Sequence, residues 1–255
     1  MVSELQKLAD IGFYKLHPSY IPFVGDKYNE FRILQISESH YCNNLDVSKY
    51  GIPYFIHWYD SVCNEVEEGI LGNNITRYVG NGVVGNIKND DGSVNSYQYQ
   101  NFDNPLRSFR KIVLGKEGDI NPETRKDYNY FAFMNFYQFP ALEAKGHFPD
   151  TIKRRGKTEG CKELAKVLLR ISNDNSTRIV DSVIDVLSPR VVVFTSFCAG
   201  DAYKECGGKY AQSENVVYVS HPNNPFPWSK SYKRLGWKKP ITVFEAKLRE
   251  IYKNT

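Results

Sequence analysis

The sequence has no apolar run approaching the ~20 residues a membrane-spanning helix needs, because charge interrupts every long hydrophobic window. Its opening segment, MVSELQKLAD, carries acidic residues and no apolar signal core, so the chain is expected in the cytosol. Cysteine is sparse and scattered. Cys42, Cys63, Cys161, Cys198 and Cys206 are odd in number and form no C-x-x-C pair, which argues against a disulfide framework and against a zinc or iron–sulfur site. They read as free thiols. Neither G-x-G-x-x-G nor G-x-x-x-x-G-K-[ST] follows a strand, so no phosphate-cradling loop supports an ordinary nucleotide-binding enzyme. Strong charge imbalance is missing too: 33 Lys+Arg against 29 Asp+Glu leaves +4, which suggests neither disorder nor a polyelectrolyte. Internal repeats, low-complexity tracts and a clear linker are also lacking.

What remains is the composition of a folded protein. The 255 residues fit one domain, and 41% hydrophobic residues with 18 Tyr and 15 Phe supply a sizeable core. Four short apolar runs have strand character: FRILQIS from Phe31, YFAFMNF from Tyr130, RVVVFTS from Arg190 and NVVYVS from Asn215. Their hydrophobicity is continuous, as in strands of a parallel sheet covered on both faces. Helical periodicity runs from Glu159 to Ser172, from Ser176 to Leu187, from about Thr242 to Lys253 and from about Tyr54 to Glu68. The expected fold is α/β, a three-layer α/β/α sandwich on a four-stranded, mainly parallel sheet. Between Gly69 and about Tyr128 the chain is crowded with Gly, Asn and Asp, and its NDDG predicts a surface hairpin or lid inserted between the first two core strands.

Ligands of an open parallel sheet bind at the carboxyl ends of its strands. Those ends are polar here: Ser37-Glu38-Ser39-His40-Tyr41 after the first run, Asn135 late in the second, TSFCAGDAY after the third, and His221-Pro222-Asn223-Asn224-Pro225 after the fourth. In this order the blocks resemble the uracil-DNA glycosylase superfamily, whose members carry a Gly-Gln-Asp-Pro-Tyr-His or Gly-Glu-Ala-Pro-Gly motif, a strand-ending Asn and a late His-Pro-Ser. The resemblance covers about 130 residues of core and leaves the Gly69 to Tyr128 region without a counterpart.

That resemblance implies excision of uracil or another altered pyrimidine from DNA, by hydrolysis and without metal or organic cofactor, in a protein acting as a monomer. The base must leave the stack and be read along its polar edge. The Asn135 amide offers a donor and an acceptor for that edge. His221 supplies a donor to the departing base oxygen, an oxyanion-type role. Ser39 stands where the family's water-activating Asp is found, so the catalytic carboxylate is assigned to Glu38, with His40 as second choice. Tyr41 lines the pocket, and Phe55, with Tyr54 and His57 close behind, is the candidate stacking wall. The same residue types have structural uses: an Asn in a turn, a His fixing a loop, a Glu capping the next segment, and Phe55 filling a helix core.

From Asn215 through Phe244 there is no acidic residue, while Lys230, Lys233, Arg234, Lys238 and Lys239 alternate with Trp228, Tyr232 and Trp237. This suits phosphate contacts beside a groove. Family likeness implies that Phe226 or Trp228 wedges the base stack and that Asn223 and Asn224 bond phosphate. Lys153 to Lys157, KRRGK, is a less specific basic cluster. Two alternatives stay open on the same fold: a nucleic-acid-binding protein without catalysis, motivated by Ser39, and an enzyme against hypermodified bases in phage DNA, motivated by the insertion.

Overall fold

The computed structural model describes residues 3–41, 51–61, 76–84, 100–141, 147–221, 228 and 230–252, with residues 40, 41, 76–78, 100 and 140 described by their backbone alone. Among these residues one sheet forms from β1 (Phe23–Val24), β2 (Ile33–Tyr41), β3 (Phe131–Ala141), β4 (Val191–Phe194) and β5 (Val216–Tyr218), in the order β1-β3-β2-β4-β5. β2 is central and parallel to both β3 and β4, β5 continues parallel to β4, and β1 closes the other edge antiparallel to β3. The four parallel strands are the four apolar runs of the sequence. The sheet has five strands rather than four, because β1 is a two-residue pairing too short to leave a hydrophobic pattern.

The runs are apolar throughout because both faces are covered. Leu34, Ile36, Met134, Phe136, Val192 and Phe194 pack on one face with Val180, Val183 and Ile184 of the helix Lys162–Leu187. Ile33, Phe131, Phe133, Val191 and Val193 pack on the other with Leu106 and Phe109 of the helix Gln100–Ile112 and with Phe244 and Leu248 of the helix Pro240–Tyr252. Helices therefore layer both sides of the sheet, as the strand pattern demands.

Two expectations change in shape. The separate helices over Glu159 to Ser172 and Ser176 to Leu187 are one, Lys162–Leu187. Its polar middle does not break it because that middle is used inside the protein: Ser172, Ser176 and Thr177 are buried, Ser176 Oγ lies 3.4 Å from the Tyr59 hydroxyl, and Asn175 donates back to the Ile171 carbonyl at 2.9 Å. The described parts of the Gly69 to Tyr128 region, expected as a surface hairpin or lid, supply helices to the core, Thr76–Val83 and Gln100–Ile112 among them. The apolar stripe of Phe102, Leu106 and Phe109 drives that burial. The NDDG turn at 89–92 lies outside the described residues. The helix expected from Tyr54 to Glu68 is instead a short one, Ile52–Phe55, which gives way to turns through Asp60; residues 62–68 lie outside the described residues.

β2 and β3 outrun their neighbour. β4 pairs with β2 only from Ile33 to Ile36, whereas the β2–β3 pairing continues to Tyr41 and Ala141 with a register shift after Ser39. Thr195 N–H closes the β4 side by donating to the Ile36 carbonyl at 2.8 Å. Beyond this point the polar end of β2 has a vacated flank, and the helix Phe197–Glu205 starts there.

Candidate functional site

SESHY therefore belongs to β2 itself, and Asn135 lies within β3 in register with Ser37, not at a strand end. The two strands extend because each supplies the other's ladder bonds past the sheet. Alternation along β2 places Ser37 on the face of Gln35 and Glu38 on the face of Leu34 and Ile36. Asn135, paired with Ser37, is buried on the opposite face from Glu38. Ser37 Oγ meets Thr195 Oγ1 at 3.0 Å, and the Asn135 carbonyl accepts the Gln138 side-chain amide.

Glu38 is the hub. Its buried carboxylate accepts from the Phe148 backbone N–H at 2.7 Å through Oε1, and from His147 Nδ1 at 2.9 Å and the Ser196 hydroxyl at 2.8 Å through Oε2. Phe148 opens the helix Phe148–Thr158, and Ser196 caps the helix Phe197–Glu205, accepting also from Ala199 N–H. One carboxylate thus sits at the amino ends of two helices, where backbone N–H groups and helix dipoles favour negative charge. Burial works to raise its pKa; the bonds from His147, Phe148 and Ser196 outweigh it and hold the group below the usual carboxylate range. The carboxylate bonds a helix start 110 residues further along the chain, not the segment that follows it.

His147, which the sequence reading missed, is the group that Glu38 presents. Its side chain is 59% exposed, and the Glu38 hydrogen bond, against partial burial, raises its pKa above the ordinary value. With Nδ1 fixed on Glu38, the ring offers Nε2 to the exterior. The only local signal is the His-x-Pro at 147–149, a helix-start pattern; no spacing ties it to Glu38, 109 residues earlier.

His221 lies three residues past the end of β5, and the charges of Glu38 and His147 both act on it. Its burial, with Glu38 opposing and His147 assisting, lowers its pKa, so the imidazole is neutral at neutral pH and carries one N–H. Cys198, also missed, lies in the first turn of the Ser196-capped helix and is hydrogen-bonded with Tyr137, whose ring stacks on Phe148 at 4.0 Å. Burial pushes the Cys198 thiol up to about 12, so it is a thiol and not a thiolate.

Donor atoms of Glu38, His147 and Cys198 all fall within 4.8 Å of one another, the one such set among the described residues. One cation could be spanned by them. The Glu38 and His147 atoms of that set are also each other's hydrogen-bond partners.

Ser39 is half-buried at the end of β2 beside Tyr137. His40 and Tyr41 continue the strand; their side chains lie outside the described residues, as do Asn223, Asn224 and Phe226. Phe55 is wholly buried, edge-on to Phe139 at 4.6 Å and Trp58 at 5.9 Å, and fills the core instead of forming a stacking wall. Tyr54 and His57 are exposed. Trp228 is not placed to wedge a base stack: it is 1% exposed, its indole donates to the Ser220 carbonyl at 2.8 Å, and its ring meets Phe244 edge-on at 6.0 Å. An indole so large with its one donor satisfied internally is an anchor for the chain after His221. Lys230, Lys233 and Arg234 are exposed, but the Arg234 guanidinium is paired with Asp201 and lies over Phe197 at 4.7 Å.

Compared with known proteins, the chain matches no family model, no curated protein and no solved structure. The likeness to the uracil-DNA glycosylase superfamily thus rests on the four motif blocks alone. Among the described residues no helix is long and apolar enough to cross a membrane.

Proposed function

We propose that the protein is a DNA glycosylase with a uracil-DNA glycosylase-like fold, hydrolysing the N-glycosidic bond of uracil or another altered pyrimidine to leave an abasic site. In this reading it is a cytoplasmic monomer using neither metal nor organic cofactor, in repair or in defence against phage DNA. The observation that carries it is the buried Glu38 carboxylate bonded to His147 at the carboxyl rim of a parallel sheet, with His221 just past the end of β5 at the same rim.

Each group has a use in the reaction. The bond between C1′ and the base nitrogen breaks, and its electron pair leaves with the base. The His221 N–H is suited to stabilise the charge that develops on the base oxygen. Water forms the new bond at C1′, and its proton goes to His147 Nε2, whose basicity the Glu38 hydrogen bond raises. The ionised Glu38 also offsets the positive character of the sugar. Asn135 reads the base edge in the family pattern; here it is buried on the face of the β2–β3 ribbon opposite Glu38.

Incubation with labelled oligonucleotides bearing altered pyrimidines, followed by alkali, tests the reading. Abasic-site cleavage and free base are expected, with the rate falling in His221→Ala while DNA affinity holds, since that interaction strengthens mainly in the transition state. DNA binding without base release on any altered pyrimidine would favour the non-catalytic alternative. That alternative draws support from Ser39 and from the capping duties of Glu38.

A further inference from the structure

Trp237 is the most exposed large hydrophobic side chain among the described residues, at 69%, while Trp58 and Trp228, the protein's other tryptophans, are each 1% exposed. Its backbone is also unusual. Gly236 and Trp237 both have positive φ, +61° and +62°, and Lys238 N–H donates to the Leu235 carbonyl at 3.2 Å. This is a tight turn whose second central position favours Gly, Asn or Asp. An indole there costs free energy in the fold and gains nothing visible from burial, the combination that points from a backbone outlier to a function.

The turn is held rigidly. Tyr232 and Lys238 bridge it, Tyr232 N–H donating to the Lys238 carbonyl at 3.1 Å and Trp237 N–H to the Tyr232 carbonyl at 2.9 Å. Beneath it, the Tyr232 ring meets Phe197 edge-on at 5.8 Å, and Arg234 spans Phe197 and Asp201. Phe197 directly follows Ser196, which bonds Glu38, so the turn is mounted on the same helix as the candidate site. Lys230, Lys233, Lys238 and Lys239 of the same segment are exposed, and no acidic residue occurs from 215 to 244.

We infer that Trp237 is a stacking platform for an unpaired base of a DNA strand whose phosphates run over Lys230, Lys233, Lys238 and Lys239. A flat π-surface held out in solvent by a stiff turn, in a segment whose exposed charges are all cationic, matches a strand that offers base faces and phosphates in alternation. The inference rests on the DNA partner of the proposed function and is independent of its chemistry.

Because the other two tryptophans are buried, the solvent-exposed fluorescence reports Trp237. The full chain is titrated with unmodified oligo(dT), with heparin as a polyanion lacking bases, and with phosphatidylcholine vesicles containing phosphatidylserine. Oligo(dT) should quench the long-wavelength emission, heparin should bind with little quenching, and vesicles should leave it unshifted. Trp237→Ala should weaken oligo(dT) binding about tenfold or more and leave heparin affinity intact, with Trp237→Phe keeping most of the affinity. Oligo(dT) binding without quenching, equal affinity in Trp237→Ala, or a blue shift on vesicles alone would overturn the assignment. Base release in the absence of quenching sinks the platform and spares the glycosylase; quenching without base release does the reverse.

Discussion

Glu38 accepts a hydrogen bond from His147 Nδ1 at 2.9 Å and another from the adjacent Phe148 N–H at 2.7 Å, so a strand carboxylate orients an imidazole and caps the helix that follows it. These two duties separate by substitution. Glu38→Gln should lower both rate and stability, because a neutral amide presents an N–H where two donors converge; the loss is about 2–3 kcal/mol, typical for buried bonds to a charged acceptor. His147→Gln should cut the rate and cost little stability, because the ring is mostly exposed. Urea midpoints and single-turnover base release measure the two; equal stability loss in both variants would show that His147 is structural.

The pH dependence has three contributions of known sign. Glu38, with its pKa depressed in the fold, stabilises above its unfolded value of about 4.3, and that stability is lost as pH falls through the folded value. His221, also depressed, stabilises above about 6.5 and loses that contribution as pH falls through its folded pKa. His147 is raised, so its contribution is full below about 6.5 and disappears as pH rises through the folded value. Urea midpoints measured from acid to mildly alkaline pH should show an acid limb that weakens in Glu38→Gln and a decline on rising above about 6.5 that vanishes in His147→Gln. A His147→Gln profile that keeps the alkaline decline would contradict the assignment.

Chelation tests the hydrogen-bonded reading of the Glu38, His147 and Cys198 cluster. Base release should survive EDTA, and Cys198→Ala should leave the rate within a few-fold, since the thiol is protonated and buried beside Tyr137. Activity abolished by EDTA and restored by zinc would instead make those three residues metal ligands.

The two tryptophans of the basic segment should respond oppositely. Trp228→Ala empties a buried, hydrogen-bonded position and should cost about 3–5 kcal/mol of stability. Trp237→Ala, read by the same urea midpoints, should leave stability within about 0.5 kcal/mol, as exposed positions do. A stable Trp228→Ala variant would mean that this ring is not the anchor of the chain after His221.

Phosphate binding should be carried by lysines more than by Arg234. Replacing Lys230 and Lys233 with Ala should flatten the salt dependence of duplex binding by about 0.9 in logarithmic slope for each phosphate no longer neutralised. Arg234→Ala should act chiefly through the turn it pins to Asp201 and Phe197. An unchanged slope in the double lysine variant would remove this face from the DNA.

The parallel sheet was legible from local pattern. Strands buried on both faces must be apolar at every position, and such runs as RVVVFTS can be read without any partner in view. The polar residues that end β2 and the position of His221 were equally visible. What these residues face depends on packing between segments distant in the chain. That β2 and β3 extend past β4, that Asn135 turns from Glu38, and that His147 completes the Glu38 pair all belong to that long-range level. Trp228 and Trp237 share one basic, aromatic stretch, and nothing in that stretch distinguishes them. The first is buried because Ser220 and Phe244 receive it, and the second is held in solvent because the turn is pinned to Phe197 and Asp201. Burial depends on where the rest of the chain lies, and a local pattern does not carry that information.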